Sequence, residues 1–400
     1  MKYLVIGCGP GSMGEAIAYR LLLEKNSRIF LADQNATNVA HSMDKLRKLC
    51  HGSFSECAEF APSARGLDIL KEKDLLPLYF KNFDIIVSAV PASLNPMLVE
   101  AVILSNKIRP EKEHKTHFCD LGGVLQFSRK ILTGNRAEKA KDLGVSIVPD
   151  CGLQPGLGNI MAVDLLKKFK PDIPVESIII YVGGLPYNYR DPPYYKKLFN
   201  LKGLEEIYYN APLVLSRGKP RRITKLSHME MVSAREFGLS FGTEEIVTFE
   251  AAVTGGLGTL PYYLQGKVLT LQEKTLRFEG HYNRVKTIPR EQFEEFFTRW
   301  LESFPVSEKD FTVMKVIARG ESAVYGERVE VEKLFCVQSD THWNSMQKST
   351  GFTTAVLAKL IAEGKAAPGA LPPEMALDSS IVLEALKNDF TIRECTTPLI

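Results

Sequence analysis

Lys2-Tyr-Leu-Val-Ile6 runs straight into Gly7-Cys-Gly9-Pro-Gly11-Ser-Met-Gly14, and this junction decides the fold. A short apolar strand meets a glycine-dense turn. Residues 13–23 then place Met13, Ile17 and Leu21 on one helical stripe that can pack on a sheet. A tight strand-to-helix turn demands backbone angles that favour glycine, and a diphosphate must approach the main chain more closely than a Cβ permits. The helix N-terminus offers free N–H groups and a partial positive charge to that anion. After a turn at Asn26-Ser27, the strand at 28–32 ends in Asp33, nineteen residues beyond Gly14. A carboxylate at that spacing can take both hydroxyls of an adenosine ribose, so the segment predicts a bound dinucleotide. Two frames fit the loop, Gly7-x-Gly9-x-x-Ser12 and Gly9-x-Gly11-x-x-Gly14, and the second leaves two extra residues after the strand. Ser12 suits an N-cap, with Glu15 reaching back in a capping box.

Working outward, strands and helices alternate over the first 125 residues. A helix is expected at 36–49, a polar surface loop at 50–65, and a third strand at 66–70 with Asp68 near its end. Residues 83–91 form a continuous apolar run, the mark of a parallel strand buried on both faces, which Pro91 stops. A helix at 95–104 and a short strand at 117–120 lead to Gly122-Gly123. This succession predicts an α/β Rossmann-type doubly wound parallel sheet, with ligands beyond the carboxyl ends of its strands. Asp33, Asp68, Pro91 and Asp120 all fall at such ends. From about 175 the texture turns strand-rich, so a second α+β domain with a mostly antiparallel sheet is expected. The domains are drawn as 1–125, completed by helices from 345–400, and 126–344 for substrate binding and oligomerisation. Residues 366–373, rich in Ala, Pro and Gly, read as a linker.

Four hundred residues exceed one ordinary core, which supports two domains. Lysine and arginine total 50 against 47 acids, a balance that gives no reason to expect nucleic acid. The densest basic stretch, Arg217-Gly-Lys219-Pro-Arg221-Arg222, reads as a solvated turn. Seven cysteines form no C-x-x-C pair, which points to reduced thiols, a cytoplasmic location and no metal site. No apolar run reaches membrane-spanning length.

A second informative stretch is Ile147-Val-Pro-Asp150-Cys-Gly152-Leu-Gln-Pro155-Gly156-Leu-Gly158-Asn159, a strand meeting a glycine-rich turn before a helix. Asp120 and Asp150 are candidate acid–base groups there, although a carboxylate at a strand end can equally cap backbone.

With these segments in hand, the chain resembles the saccharopine dehydrogenase / lysine 6-dehydrogenase family. The matching motifs are Met13-Gly14 with Ala16-Ile-Ala-Tyr19, Ala89-Val90-Pro91, Asp150-x-Gly152-x-x-Pro-Gly156-x-x-Asn159 and Tyr181-Val-Gly-Gly-Leu-Pro186. Further matches are Leu276-Arg277 with Gly280-His281, Met314-Lys315-Val316, and Ser345-Met346 with Thr350-Gly351-Phe352. The resemblance implies an NAD-dependent oxidoreductase that oxidises a C–N bond of lysine or a lysine-derived amino acid, acting as a homodimer or homotetramer. Polyamine-type dehydrogenases or synthases (carboxynorspermidine or homospermidine type) and a non-catalytic NAD-binding regulatory protein are the alternatives. Around the cofactor it places Gly7, Gly9, Gly11, Ser12, Met13 and Gly14, then Asp33, Asp68, Ala89, Val90, Pro91 and Asp120. NAD is expected over NADP, because Asp33 would repel a 2′-phosphate.

On the substrate side stand Gly152, Thr254, Arg277 and Trp343, with His281 beside Asp120 and Asp150 as a catalytic candidate. Arginine is the natural fork for an α-carboxylate, and histidine can take a proton near neutrality. One departure concerns Thr254-Gly255-Gly256-Leu257-Gly258-Thr259. Relatives carry an acid before Gly-Leu and an arginine after it, where this chain has Gly255 and Gly258.

Overall fold

The computed structural model describes all residues except 51–65, 110–113, 189–194, 199–200, 243–245, 303–308 and 400. Its strands are β1 (Lys2–Ile6), β2 (Arg28–Ala32), β3 (Ile85–Ser88), β4 (His117–Asp120) and β5 (Ser146–Val148). Then come β6 (Val175–Pro186), β7 (Leu213–Ser216), β8 (Lys219–Arg222), β9 (Glu230–Ser233) and β10 (Thr248–Val253). The last are β11 (Val268–Phe278), β12 (Asp310–Glu321), β13 (Arg328–Gln338), β14 (Gly369–Ala370) and β15 (Ile392–Pro398).

The first compact unit comprises Met1–Leu157 and Thr350–Leu386. Its sheet runs β14-β5-β4-β3-β1-β2, every neighbouring pair parallel. Leu4, Ile6, Ile86, Phe118 and Ile147 form a buried core with residues of the helix Asn95–Lys107. Such strands need helices on both faces, which explains their nearly continuous apolar sequences. The strand order reverses at β1, whose neighbours are β2 and β3, and that crevice is where open α/β sheets take ligands.

Three expectations change here. Residues 66–70 are not a third strand. Asp68 accepts the N–H groups of Leu70 and Lys71 at 3.1 and 3.2 Å and curls the chain into a turn. The segment touches the end of β2 through one bond, Leu67 N–H to Asp33 O at 2.8 Å. The boundary expected at 125 lies instead at 157, because β5 pairs with β4 and extends the parallel sheet. The segment 366–373 is not a simple linker: it contributes β14, with Gly369 N–H on Val145 O and Leu371 N–H on Ile147 O. The loop expected at 50–65 lies outside the described residues, apart from Cys50.

The second unit comprises Gly158–Ser349 and Lys387–Ile400. Its nine-stranded sheet follows β15-β13-β12-β6-β11-β10-β9, with β7 joined to β11 and β8 to β7. Only β6 and β11 are parallel neighbours. One face buries Phe249, Leu276, Phe278, Phe311 and Val313. A second cluster gathers Ala252, Leu204, Tyr208, Tyr282, Phe293 and Phe297 beneath the helices Leu201–Tyr209 and Phe293–Glu302. The basic stretch at 217–222 is a turn only at Arg217 and Gly218, both at positive φ; Lys219–Arg222 is β8 itself, paired with β7. No helix among the described residues is long and apolar enough to cross a membrane.

Candidate functional site

In the first unit the glycine turn draws on both sequence frames. Gly7 has φ +90°, and a Cβ there would lie 2.8 Å from Ala89 O. A Cβ on Gly14 would lie 2.4 Å from Gly7 O, so Gly14 lets the helix α1 (Met13–Leu22) press against the turn. Gly7 and Gly14 are therefore the sterically required ends, and Gly11, at φ +72°, faces open space between them. Ser12 is the N-cap: its Oγ donates to Gly7 O at 2.9 Å and accepts from Glu15 N–H at 3.2 Å. The Glu15 carboxylate does not close a box on Ser12. It takes the Gly11 N–H at 3.0 Å and pairs with Lys45 at 2.7 Å, which fastens the longer loop to the helix α2 (Ala36–Leu49).

Met13 and Gly14 open α1 with N–H groups that no described acceptor takes. An Asp33 carboxylate oxygen lies 3.5 Å from where a Gly9 Cβ would sit, and its other oxygen accepts from Asn35 N–H and Asn38 Nδ2. Ile6 pairs in register with Ala32 and Ser88, and Ser88 with Asp120, so Gly7, Asp33, Ala89-Val90-Pro91 and Asp120 share the carboxyl edge of the sheet. This cradle fits a dinucleotide: a diphosphate at the α1 N-terminus and a ribose at Asp33. Asp68 has left the set, its oxygen spent on its own turn.

Asp120 and Asp150 meet in the same unit, both buried. Asp120 Oδ1 accepts the N–H groups of Gly122 at 2.7 Å and Asp150 at 3.0 Å. Burial, then the charge of Asp150, pushes the Asp120 carboxyl up to about 7, against three N–H donors that lower it, including the Asn95 amide. Burial likewise raises Asp150 to about 6, partly offset by the Ser128 hydroxyl and the Gly123 N–H. Ser128 Oγ donates to Asp150 Oδ1 at 2.7 Å, whereas Oδ2 is buried with no partner among the described residues. Asp150 itself sits at φ +65°, a strained conformation for a non-glycine residue. A Cβ on Gly122 would fall 2.0 Å from Asp150 Oδ1, so glycine at 122 is what lets the two acids approach. A Cβ on Gly152 would lie 2.8 Å from Leu121 O, which locks the following turn under the same edge. The pair can hold or release one proton near neutrality.

The second unit has its own polar cluster on β11, where Glu273, Thr275 and Arg277 alternate onto one buried face. Arg277 Nε donates to Tyr208 Oη at 2.6 Å and Nη1 to Leu276 O at 2.7 Å. The guanidinium lies over the Tyr195 and Tyr208 rings at 5.2 and 5.5 Å. No described carboxylate comes within 4.0 Å of it. Its cross-strand neighbour Glu250 spends its two oxygens on the N–H groups of Gly280 and Tyr282.

His281 Nε2 is 3.0 Å from Tyr208 Oη. Because that oxygen already accepts from Arg277, we assign the tyrosine proton to His281 Nε2. The imidazole is fully buried and stacks on Trp300, with Tyr195 and Phe297 around it. Thr254 Oγ1 bonds the buried Glu273 carboxylate, which also takes Gly256 N–H at 3.2 Å and Thr275 Oγ1 at 2.9 Å. Burial raises Glu273, and these donors oppose the rise. A side chain at Gly255 would enter open space, whereas Gly258 has φ +56°, where an arginine would be strained. Trp343 is buried in a turn clamped by Asp340, whose carboxylate accepts the Trp343 N–H at 2.8 Å.

Tyr208, Glu273 and Asn95 were not singled out by the sequence. No local signal sets them apart: Glu273 is one of six polar residues in β11, with Thr270, Gln272, Lys274, Thr275 and Arg277.

Comparison with known proteins gives a match of residues 152–389 to the model of the saccharopine dehydrogenase C-terminal domain. The mitochondrial alpha-aminoadipic semialdehyde synthase of Rattus norvegicus is 24% identical over 186 residues, which are 46% of this chain and 17% of that protein. The alpha-aminoadipic semialdehyde synthase of Arabidopsis thaliana is 25% identical over 225 residues, 54% of this chain and 19% of that protein. The chain thus spans less than a fifth of the length of these curated relatives. Among solved structures, apo saccharopine dehydrogenase (L-Glu forming) from Saccharomyces cerevisiae superposes with TM-score 0.70 and 15% identity over 99% of each chain, a likeness of fold.

Proposed function

The chain belongs to the saccharopine dehydrogenase family, and from that premise we propose an NAD-dependent oxidoreductase acting on the C–N bond of lysine or a lysine-derived amino acid. The observation that carries the reading is the buried Asp120–Asp150 pair on the same strand edge as the dinucleotide cradle. Oxidising an amine sends a hydride from carbon to an acceptor and a proton from nitrogen to a base. A bound nicotinamide supplies the hydride acceptor.

The chain's own residues do the rest. Gly7, Gly14 and the α1 N-terminus hold the diphosphate, and Asp33 holds the ribose and disfavours a 2′-phosphate. Asp120, near neutrality in its proton affinity, takes the proton from the amine nitrogen as the C–H electron pair departs. Asp150 shares that proton, so the pair can return it when water adds to the resulting imine carbon. The C–N bond then breaks, releasing ammonia from a primary amine or an amino acid from a secondary one. His281 is the weaker base, because its Nε2 is committed to Tyr208 inside an aromatic cage. Within the second unit, Arg277 is the group suited to a carboxylate: a buried cation with no described carboxylate within 4.0 Å favours a ligand that brings one.

NAD reduction measured with lysine, saccharopine and a polyamine panel tests the reading. Turnover of an amino acid at least tenfold above any polyamine supports it. Turnover of polyamines alone reassigns the substrate, and NAD binding without turnover of any amine refutes the enzyme.

A further inference from the structure

The glycine turn carries an acid in the place where it is to receive an anion. Glu15 is the third residue of α1 and is wholly buried. A carboxylate in the first turn of a helix draws on the partial positive charge of the N-terminus, the same charge a diphosphate draws on. It also takes one loop donor for itself. The Gly11 N–H bonds Glu15 Oε2 at 3.0 Å, whereas the N–H groups of Met13 and Gly14 have no described acceptor. Glu15 Oε1 is buried with no partner among the described residues. The carboxylate therefore depends on what meets Oε2, and there Lys45 Nζ donates at 2.7 Å. Lys45 comes from α2, thirty residues further on, and its side chain is 35% exposed. A second acid, Asp33, stands at the neighbouring strand end, and the groups on its Oδ1, Asn35 N–H and Asn38 Nδ2, carry no charge.

We propose that Lys45 is a positioning residue of the diphosphate site, holding and neutralising Glu15 so that the acid which ties down Gly11 does not repel the anion. This rests on the reading of the turn as a dinucleotide cradle. The longer loop needs such a tie: Gly11 stands at φ +72° with open space around it, and Glu15 reaches back to it from the helix. A tether made by an acid brings a negative charge next to the site. An exposed ion pair would matter little, but here the acid is buried, and removing its cation leaves an uncompensated charge. Without Lys45, the charges of Glu15 and Asp33 would both face a diphosphate that brings two more. A glutamine at 15 could accept the Gly11 N–H without any charge, so tether and charge are separable by substitution.

The test is calorimetric binding of NAD, NADP and adenosine to the full chain, for Lys45→Met, Glu15→Gln and the double variant, with folding followed by circular dichroism. Lys45→Met should weaken NAD about tenfold, since it leaves the charge of the acid beside the diphosphate. Glu15→Gln keeps an oxygen for the Gly11 N–H, removes the negative charge and should tighten NAD by about threefold or more. The double variant, neutral at both positions, should return NAD to within about threefold of the wild type. Adenosine offers its ribose to Asp33 but has no phosphate, so its affinity should be the same in all four proteins. An unchanged NAD affinity in folded Lys45→Met, or a double variant as weak as Lys45→Met, overturns the proposal. So does an adenosine affinity that falls with that of NAD, which would make the pair a support of loop shape alone. If Lys45→Met does not fold, Glu15→Gln decides: tighter NAD supports charge compensation, and equal or weaker NAD overturns it. A wild type that binds neither dinucleotide overturns the cofactor reading and the proposal with it. A wild type that binds NAD while the variants depart from this order overturns the proposal alone.

Discussion

Asp120→Asn should cost the protein more stability at pH 5 than at pH 8. In the unfolded chain Asp120 loses its proton near the ordinary value of 3.8, whereas in the folded protein burial and Asp150 hold it to about 7. Between those values the native state binds more protons than the unfolded state, so stability falls as pH rises and the contribution is gone above pH 7. From pH 5 to pH 7 the wild type therefore loses about 2.3 kcal/mol through this group, at up to 1.36 kcal/mol per unit. Asparagine carries no charge to bury and shows no such loss. It keeps an oxygen for the Gly122 and Asp150 N–H groups, but buries an N–H₂ in place of the acid's other oxygen, a pH-independent penalty of about 1–3 kcal/mol.

Two other groups titrate in the same range. His117, whose Nδ1 accepts the Ser146 N–H, is pushed down to about 4 by burial, so its contribution is lost as pH falls from 6.5 toward 4; it is common to wild type and variant and cancels in the difference. Asp150, raised to about 6, adds a loss of its own as pH rises, and because it faces the Asp120 charge that loss shrinks in Asp120→Asn, which widens the difference in the same direction. The assay is denaturant-dependent hydrogen exchange of amides in β4 and β5, which reads opening of the first unit without needing cofactor or substrate. Relative to wild type, Asp120→Asn should gain about 3 kcal/mol between pH 5 and pH 8. A deficit that stays the same at both pH values refutes the buried, proton-retaining acid, and with it the proposed base.

NAD should bind at least about tenfold more tightly than NADP, since Asp33 accepts from a ribose hydroxyl but repels a phosphate; equal affinities in a calorimetric titration contradict this. For amine oxidation, kcat/KM should climb through pH 7, as Asp120 deprotonates, and continue toward pH 10, as the substrate amine of pKa about 10.4 loses its proton; a flat profile over that range excludes the mechanism. Arg277→Lys should raise KM for a carboxylate-bearing substrate by about tenfold or more with little change in kcat, because lysine keeps the charge and loses the fork; an unchanged KM removes the carboxylate role. His281→Asn should lower the melting temperature by about 5 °C while kcat stays within about threefold, as expected of a caged core histidine; a hundredfold fall in kcat of the folded variant returns it to the chemistry.

The parts that were legible in the sequence are those whose signals are local. The β1–turn–α1–β2–Asp33 succession is written within 33 consecutive residues, and β3 announces itself by an unbroken apolar run. What escaped depends on partners far along the chain. β14 is only two residues long and exists because β5, more than 200 residues earlier, leaves an edge open to it. Residues 66–70 carry the composition of a strand, yet one Asx turn at Asp68 outweighs that propensity. The site divides in the same way. Asp120 and Asp150 are visible as acids at strand ends, but their coupling requires Gly122 to let them approach. His281 looks like a base in the sequence and becomes a core residue once Tyr208, Trp300 and Phe297 close around it. An asparagine followed by a proline reads as nothing more than a helix start. Its hydrogen bond with Ser88 appears only when the sheet register, which also sets Ser88 beside Asp120, brings the end of β3 against the helix start. That register is itself set by the buried parallel strands the sequence does announce, so the chemistry hidden from local reading is a consequence of the fold that was not hidden.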